Sequence, residues 1–167
     1  ITGSSGKTTL KTLLGKILSE YGKTYFSQKS YNNHIGVPLS LCNLENDHKY
    51  GVFEIGMSNA GEILRLSNLV KPDIAIITNI TEAHIENFDN LDSIAKTKSE
   101  IIHNINQGGY LILNKDDNYF NYLSKLAKKK KVNVLSFSKL GKSNAKLIKN
   151  TPHKNYNLLH FRVLNKN

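Results

Sequence analysis

The sequence predicts an α/β protein of the P-loop kind. It should have three layers, with a mostly parallel β-sheet between flanking helices and an antiparallel pair at its C-terminal end. Three observations predict this. Helix and strand signals alternate along the chain. The stretch PDIAIITN is a continuous apolar run, the pattern of a parallel strand buried on both faces. The chain opens on ITGSSGKTTL, a glycine-rich turn that runs straight into a helix.

The elements follow in order. From Lys7 to Tyr21, the residues Leu10, Leu13, Leu14, Ile17, Leu18 and Tyr21 recur at helical spacing, and Gly22 is a natural stop. KYGVFEIG reads as a short strand ending in Glu54. NAGEILRLSNLV reads as a helix, with Asn59 and Glu62 spaced as a capping box. After PDIAIITN, a helix is expected from Leu91 to Ile105, then the strand GGYLILN, the helix NYFNYLSKLAKKKK and the strand VNVLSFS. The tail segments AKLIKN and NLLHFRVLN alternate more strongly and suit the antiparallel pair.

Composition bounds the function. The 167 residues are 39% hydrophobic and 22% charged, the balance of a globular domain or part of one. No run approaches the roughly 18 apolar residues of a membrane span. The single Cys42 excludes an internal disulfide and a cysteine-rich metal site, and it fits a reducing, cytoplasmic setting. The formal charge of +10 raises the question of nucleic acid. The one dense basic run, Lys128 to Lys131, lacks interleaved aromatics and sits where a helix should end, where lysines complement the helix dipole. We therefore expect no nucleic-acid partner.

The chemistry begins at TGSSGKTT. A phosphate loop needs glycines for close approach, amides at a helix N-terminus, a lysine for charge and a hydroxyl for Mg²⁺. Gly3, Ser4, Ser5, Gly6, Lys7, Thr8 and Thr9 supply these in the short form G-x-x-G-K-T. The competing reading is a glycine turn that merely caps a helix. Ligands of open α/β sheets gather at the carboxyl ends of strands, where Glu54 is expected and which His84 follows at short distance. Glu54 and Thr8 are oxygen donors suited to Mg²⁺. His84 is an unusual ligand for that ion and by default a lone surface or core histidine. In NLDSIAKTKSEIIHNI, Lys98 falls in the middle of the apolar stripe and Lys96 on the opposite face. An inward lysine is costly unless it is paired, loses its charge or reaches past the stripe to water.

TGSSGKTT, NNHIGVPLSL, EIGMSNAGEI, TNITEAHIENF and AKTKSEI occur in that order over residues 1–117, and together they resemble the central ATPase domain of the Mur ligases. Within that family NNHIGVPLSL, EIGMSNAGEI and Ala83 before His84 favour the member that adds D-alanyl-D-alanine. The resemblance implies an ATP-dependent ligase of peptidoglycan precursor synthesis, cytoplasmic and monomeric. UDP-N-acetylmuramoyl-tripeptide and D-alanyl-D-alanine would be its substrates. It places the ATP phosphates on Gly3 to Thr9, with Lys7 at the β- and γ-phosphates. A first Mg²⁺ would sit on Thr8 and Glu54, and a second on His84 and a carbamylated Lys98, with Lys96 as the second choice for the modified residue. Asn32, Asn33 and His34 would lie near the substrate.

The chain begins after the strand a phosphate loop needs and ends in RVLNKN without a closing helix. It therefore reads as a partial central domain, residues 1–167, without the N-terminal UDP-binding and C-terminal ligase domains, and as a fragment that alone catalyses little. Two other readings stay open. One is a different Mur or folylpolyglutamate-type ligase. The other is a basic, non-catalytic P-loop module.

Overall fold

The computed structural model describes residues 1–82 and 88–163. Helix α1 spans Lys7–Ser19 and strand β1 Thr24–Phe26, followed by α2 at Gly36–Cys42 and β2 at Tyr50–Val52. Then come α3 (Glu62–Val70), β3 (Ile74–Ile77) and α4 (Leu91–Ser99), which tightens into a 3₁₀ turn at Glu100–Asn104. The rest is β4 (Tyr110–Asn114), α5 (Phe120–Lys129), β5 (Asn133–Ser138), β6 (Ala145–Pro152) and β7 (Asn157–Val163).

β1 and β2 pair in parallel, and a second sheet runs β3-β4-β5-β6-β7. Every pairing is parallel except the last, β6 with β7, which is the expected antiparallel pair. Two residues link the sheets. The Thr2 amide donates to the Ile76 carbonyl at 2.9 Å, and the Thr78 amide donates to Thr2 at 3.0 Å. On the other side the Ile55 amide donates to the Ile1 carbonyl and the Ile1 nitrogen to Phe53, both at 2.8 Å. Residues 1–2 thus lie as a strand between 53–55 and 76–78. The phosphate-loop sequence, Glu54 and the end of β3 consequently leave the sheet at one carboxyl edge.

The core sits where α3, α4 and α5 cover β3 and β4. Ile63, Leu66, Ile94, Ala95, Ile101, Ile102, Leu123 and Ala127 pack there with Ala75, Ile77, Leu111 and Leu113, all buried. Each strand presents short β-branched or leucine side chains to helices, as parallel sheets require.

Three sequence expectations need correction. The apolar stripe of α1 does not face the described core: Leu13, Ile17 and Tyr21 are 54%, 55% and 69% exposed, while the buried residues are Lys11 and Gly15. Close packing of α1 on β1 sets this face, because only a residue without a side chain fits against Phe26. The expected capping box forms only in part. Glu62 accepts from the Ser58 and Asn59 amides at 2.6 and 3.2 Å, but the helix starts after Gly61 in the left-handed region. Its open amides are met from a distance by Glu100, which accepts from Gly61 at 2.8 Å and Leu64 at 3.0 Å. The helix expected to reach Ile105 leaves α geometry at Ser99. The basic run Lys128 to Lys131 ends α5 and is exposed, with Lys131 in the left-handed region at φ 58°.

Gly15 gives a stability test. A β-carbon there would lie 2.3 Å from the Phe26 ring. Gly15→Ala gains about 1 kcal/mol of helix propensity but forces apart a packed contact at a cost of about 1–3 kcal/mol. We expect net destabilisation, seen as a lower urea midpoint for unfolding of the purified protein.

Candidate functional site

The loop from Gly3 to Thr8 is shaped by the strand beside it. Gly3 has φ 139°, and a β-carbon on it would lie 1.9 Å from Thr78 Oγ1, so only glycine fits. Thr78 Oγ1 donates to the Ser5 carbonyl at 2.6 Å. Asn79 takes Ser5 from both sides: its Oδ1 accepts from the Ser5 amide at 3.0 Å, and its Nδ2 donates to Ser5 Oγ at 2.8 Å. Ser4 Oγ donates to the Thr81 carbonyl and accepts from the Thr81 amide, both at 2.9 Å. Ser4 is therefore a buried clamp.

Gly6 is in the left-handed region at φ 77°, and a β-carbon on it would meet nothing within 4 Å. The cradle is open on that side. α1 starts there without a side-chain cap, and Leu10 is the first residue whose amide finds a helical acceptor, Gly6 at 3.0 Å. The amides of Lys7, Thr8 and Thr9 thus point out of the helix end, where the dipole favours an anion. By contrast, α4 is capped by Asn90, whose Oδ1 accepts from the Ser93 amide at 2.9 Å. Lys7 Nζ lies against the loop, donating to the Gly3 carbonyl at 2.8 Å.

Glu54 is the centre of the site. It is 2% exposed, and three donors hold it. Thr8 Oγ1 donates to Oε2 at 2.8 Å, and Ser30 Oγ and Asn32 Nδ2 donate to Oε1 at 2.9 and 2.8 Å. Burial pushes its pKa up. The hydrogen bonds from Asn32, Thr8 and Ser30, together with the Lys11 charge, outweigh that and leave it below the usual carboxylate range. Lys98, also 2% exposed, points inward, while Lys96 is exposed. Its ammonium makes no hydrogen bond or ion pair among the described residues. Burial, with the nearby Lys7 charge, lowers its pKa to about 7. Burial also lowers the pKa of Lys7, which Glu54 partly offsets.

The sequence-expected residues fall out as follows. Gly3, Ser4, Ser5, Gly6, Lys7 and Thr8 form one loop beside Glu54. Lys98 is buried on α4 and feels the Lys7 charge. Asn32 turns to Glu54. Asn33 is used as a local cap, its Oδ1 accepting from the Ile35 and Gly36 amides at 3.1 and 2.8 Å. His34 is exposed at the start of α2. His84 lies outside the described residues. Sequence reading missed Ser30, Thr78, Asn79 and Thr81. It also missed Lys11, whose i+4 spacing from Lys7 was the available signal.

Residues 1–165 match the family model for the Mur ligase middle domain. The chain belongs to the Mur ligase family. Over 149 residues it is 38% identical to the UDP-N-acetylmuramoyl-tripeptide–D-alanyl-D-alanine ligase of Rickettsia prowazekii, covering 89% of this chain and 33% of that protein. Its fold matches a crystal structure of MurF from Acinetobacter baumannii with a TM-score of 0.90 and 34% identity, over 97% of this chain and 35% of that one. A crystal structure of MurF from Thermotoga maritima in complex with ADP matches with a TM-score of 0.87 and 29% identity, over 98% of this chain and 37% of that one. The chain thus spans about a third of the length of these Mur ligases. Among the described residues no helix is long and apolar enough to cross a membrane.

The low pKa of Lys98 has a measurable consequence. Between about 7 and the ordinary 10.5, the unfolded chain holds a proton on this amine that the folded chain has released. Stability therefore rises with pH across that window. Lys98→Met should flatten the rise, measured by urea unfolding across the window without nucleotide, divalent metal or bicarbonate.

Proposed function

We propose that the protein carrying this chain is an ATP-dependent ligase that joins D-alanyl-D-alanine to UDP-N-acetylmuramoyl-tripeptide. The observation that carries the proposal is the uncapped N-terminus of α1, with Thr8 2.8 Å from a buried Glu54. The names of the curated relatives support the substrates, and the ADP complex of a structural relative supports the nucleotide. ATP places its phosphates against the amides of Lys7, Thr8 and Thr9, and Lys7 offsets their charge. The terminal carboxylate of the tripeptide attacks the γ-phosphorus, ADP leaves, and an acyl phosphate forms. The amine of D-alanyl-D-alanine then attacks the acyl carbon, expels phosphate and loses a proton to give the amide. No side chain of the protein needs to act as nucleophile. The protein brings two anions together and stabilises the charge of the transferring phosphoryl group.

The donor set fits Mg²⁺ at one place outright. Thr8 and Glu54 offer adjacent hard oxygens, and Mg²⁺ takes few protein ligands and keeps waters. When bound, the ion neutralises phosphate oxygens as a Lewis acid. Lys98 as an amine does not fit. As a carbamate it does: the neutral amine nitrogen attacks carbon dioxide, forms an N–C bond and releases one proton, leaving two carboxylate-like oxygens. A pKa of about 7 keeps much of the amine neutral and reactive at neutral pH. His84 would join Lys98 at the second metal. The protein would work in the cytoplasm as a monomer.

Full-length protein should release phosphate from ATP only with the UDP-muramoyl-tripeptide, and should form amide with D-alanyl-D-alanine in preference to single amino acids. Preference for a single amino acid sinks the substrate assignment. Lys98→Ala should lower turnover by roughly 10²–10³-fold, with partial recovery on adding short carboxylates. Isotopically labelled bicarbonate should give a carbamate signal in wild type that the variant lacks. Near-normal activity in Lys98→Ala excludes the carbamate.

A further inference from the structure

Lys11 is a fully buried cation that the reaction described above does not use. Its Nζ donates to the Lys29 carbonyl at 2.8 Å and to Ser27 Oγ at 3.1 Å. Ser27 Oγ in turn donates to the same Lys29 carbonyl at 2.8 Å. The ammonium thus crosses from α1 to the turn after β1 and fixes its backbone. One residue further on, Ser30 donates to Glu54. Asn32 follows, bonding Ser30 Oγ at 3.0 Å and Glu54 at 2.8 Å. The Asn32 carbonyl then takes the Gly56 amide at 2.8 Å, which closes the turn onto the strand that carries Glu54.

We propose that Lys11 is a positioning residue for the divalent-cation site: by holding Ser27 and Lys29 it presents Ser30 and Asn32 to Glu54 and fixes the carboxylate oxygen that faces Thr8. The geometry explains why a lysine sits where the helix should be apolar. Lys7, Lys11 and Gly15 share one face of α1 at i, i+4 and i+8. Gly15 lets the helix lie against Phe26, Lys7 reaches the phosphate loop, and Lys11 between them meets a backbone carbonyl that no apolar residue could satisfy. Its charge also faces the buried carboxylate, where it favours the ionised form needed to hold a cation. Removing it leaves Thr8, Glu54 and the loop in place but frees the turn that orients them. Ser30 and Asn32 are the partners one step removed from the ligand, a position that typically changes metal affinity by about 10–100-fold, and Lys11 acts through them at the lower end of that range.

The inference rests on the nucleotide reading, and the test separates the two. ADP binding to the full-length protein is measured by calorimetry over a range of Mg²⁺ concentrations. Lys11→Met, which keeps the length and loses the charge, should raise the Mg²⁺ concentration for half-maximal enhancement of ADP binding about tenfold, while ADP binding without Mg²⁺ stays at the wild-type level. Ser27→Ala, which removes one of the two acceptors and keeps the cation, should shift it in the same direction by less. Wild-type Mg²⁺ dependence in a folded Lys11→Met overturns the inference. If Lys11→Met does not fold, wild-type dependence in Ser27→Ala overturns it. ADP binding lost equally with and without Mg²⁺ makes Lys11 part of the nucleotide cradle and also overturns it. Wild-type protein that binds no ADP removes the nucleotide reading itself, and this inference with it.

Discussion

A buried carboxylate governs this structure. An ionised carboxyl group cannot leave water without replacement partners, and Glu54 has collected three, from two separate stretches of chain. Thr8 comes from the start of α1, while Ser30 and Asn32 come from the turn after β1. The strand segment 53–55 that carries Glu54 is itself paired with residues 1–2, which lead into the phosphate loop. Satisfying one charge therefore brings loop, helix, turn and strand end to a single point on the carboxyl edge of the sheet.

Around that carboxylate stand more cations than it can balance. Lys7 and Lys11 feel the Glu54 charge, Lys98 feels that of Lys7, and burial lowers the pKa of all three. The imbalance differs by position. Lys11 gives two of its three donors to a carbonyl and a hydroxyl. Lys7 rests on a loop carbonyl, an acceptor it can exchange for a phosphate oxygen. Lys98 has no such partner among the described residues and sheds charge. One local field thus gives three lysines three different chemical characters.

Much of this was legible in the sequence. GSSGKTT and the buried run PDIAIITN gave the loop and its neighbouring strand, because glycine geometry and two-sided burial leave strong local marks. The inward side of Lys98 followed from helical spacing alone. The face of α1 did not, since Leu13, Ile17 and Tyr21 of its stripe are exposed and Gly15 decides the contact through a shape match with Phe26. β1 and α2 are too short for periodicity to show. The half-formed capping box at Glu62 failed because Glu100, distant in sequence, answers the amides of α3. Ser30, Asn79 and Thr81 act through tertiary contacts; TNITEAHIENF marks the neighbourhood of Asn79 and Thr81, but not their role beneath the phosphate loop.

The phosphate loop does not hold its own shape. Its floor is Thr78, Asn79 and Thr81, with Asn79 reaching Ser5 across 74 residues of chain. The motif is accordingly not portable. Grafted onto another strand–helix junction without that threonine–asparagine–threonine underlay, the same glycines and serines would collapse into an ordinary turn.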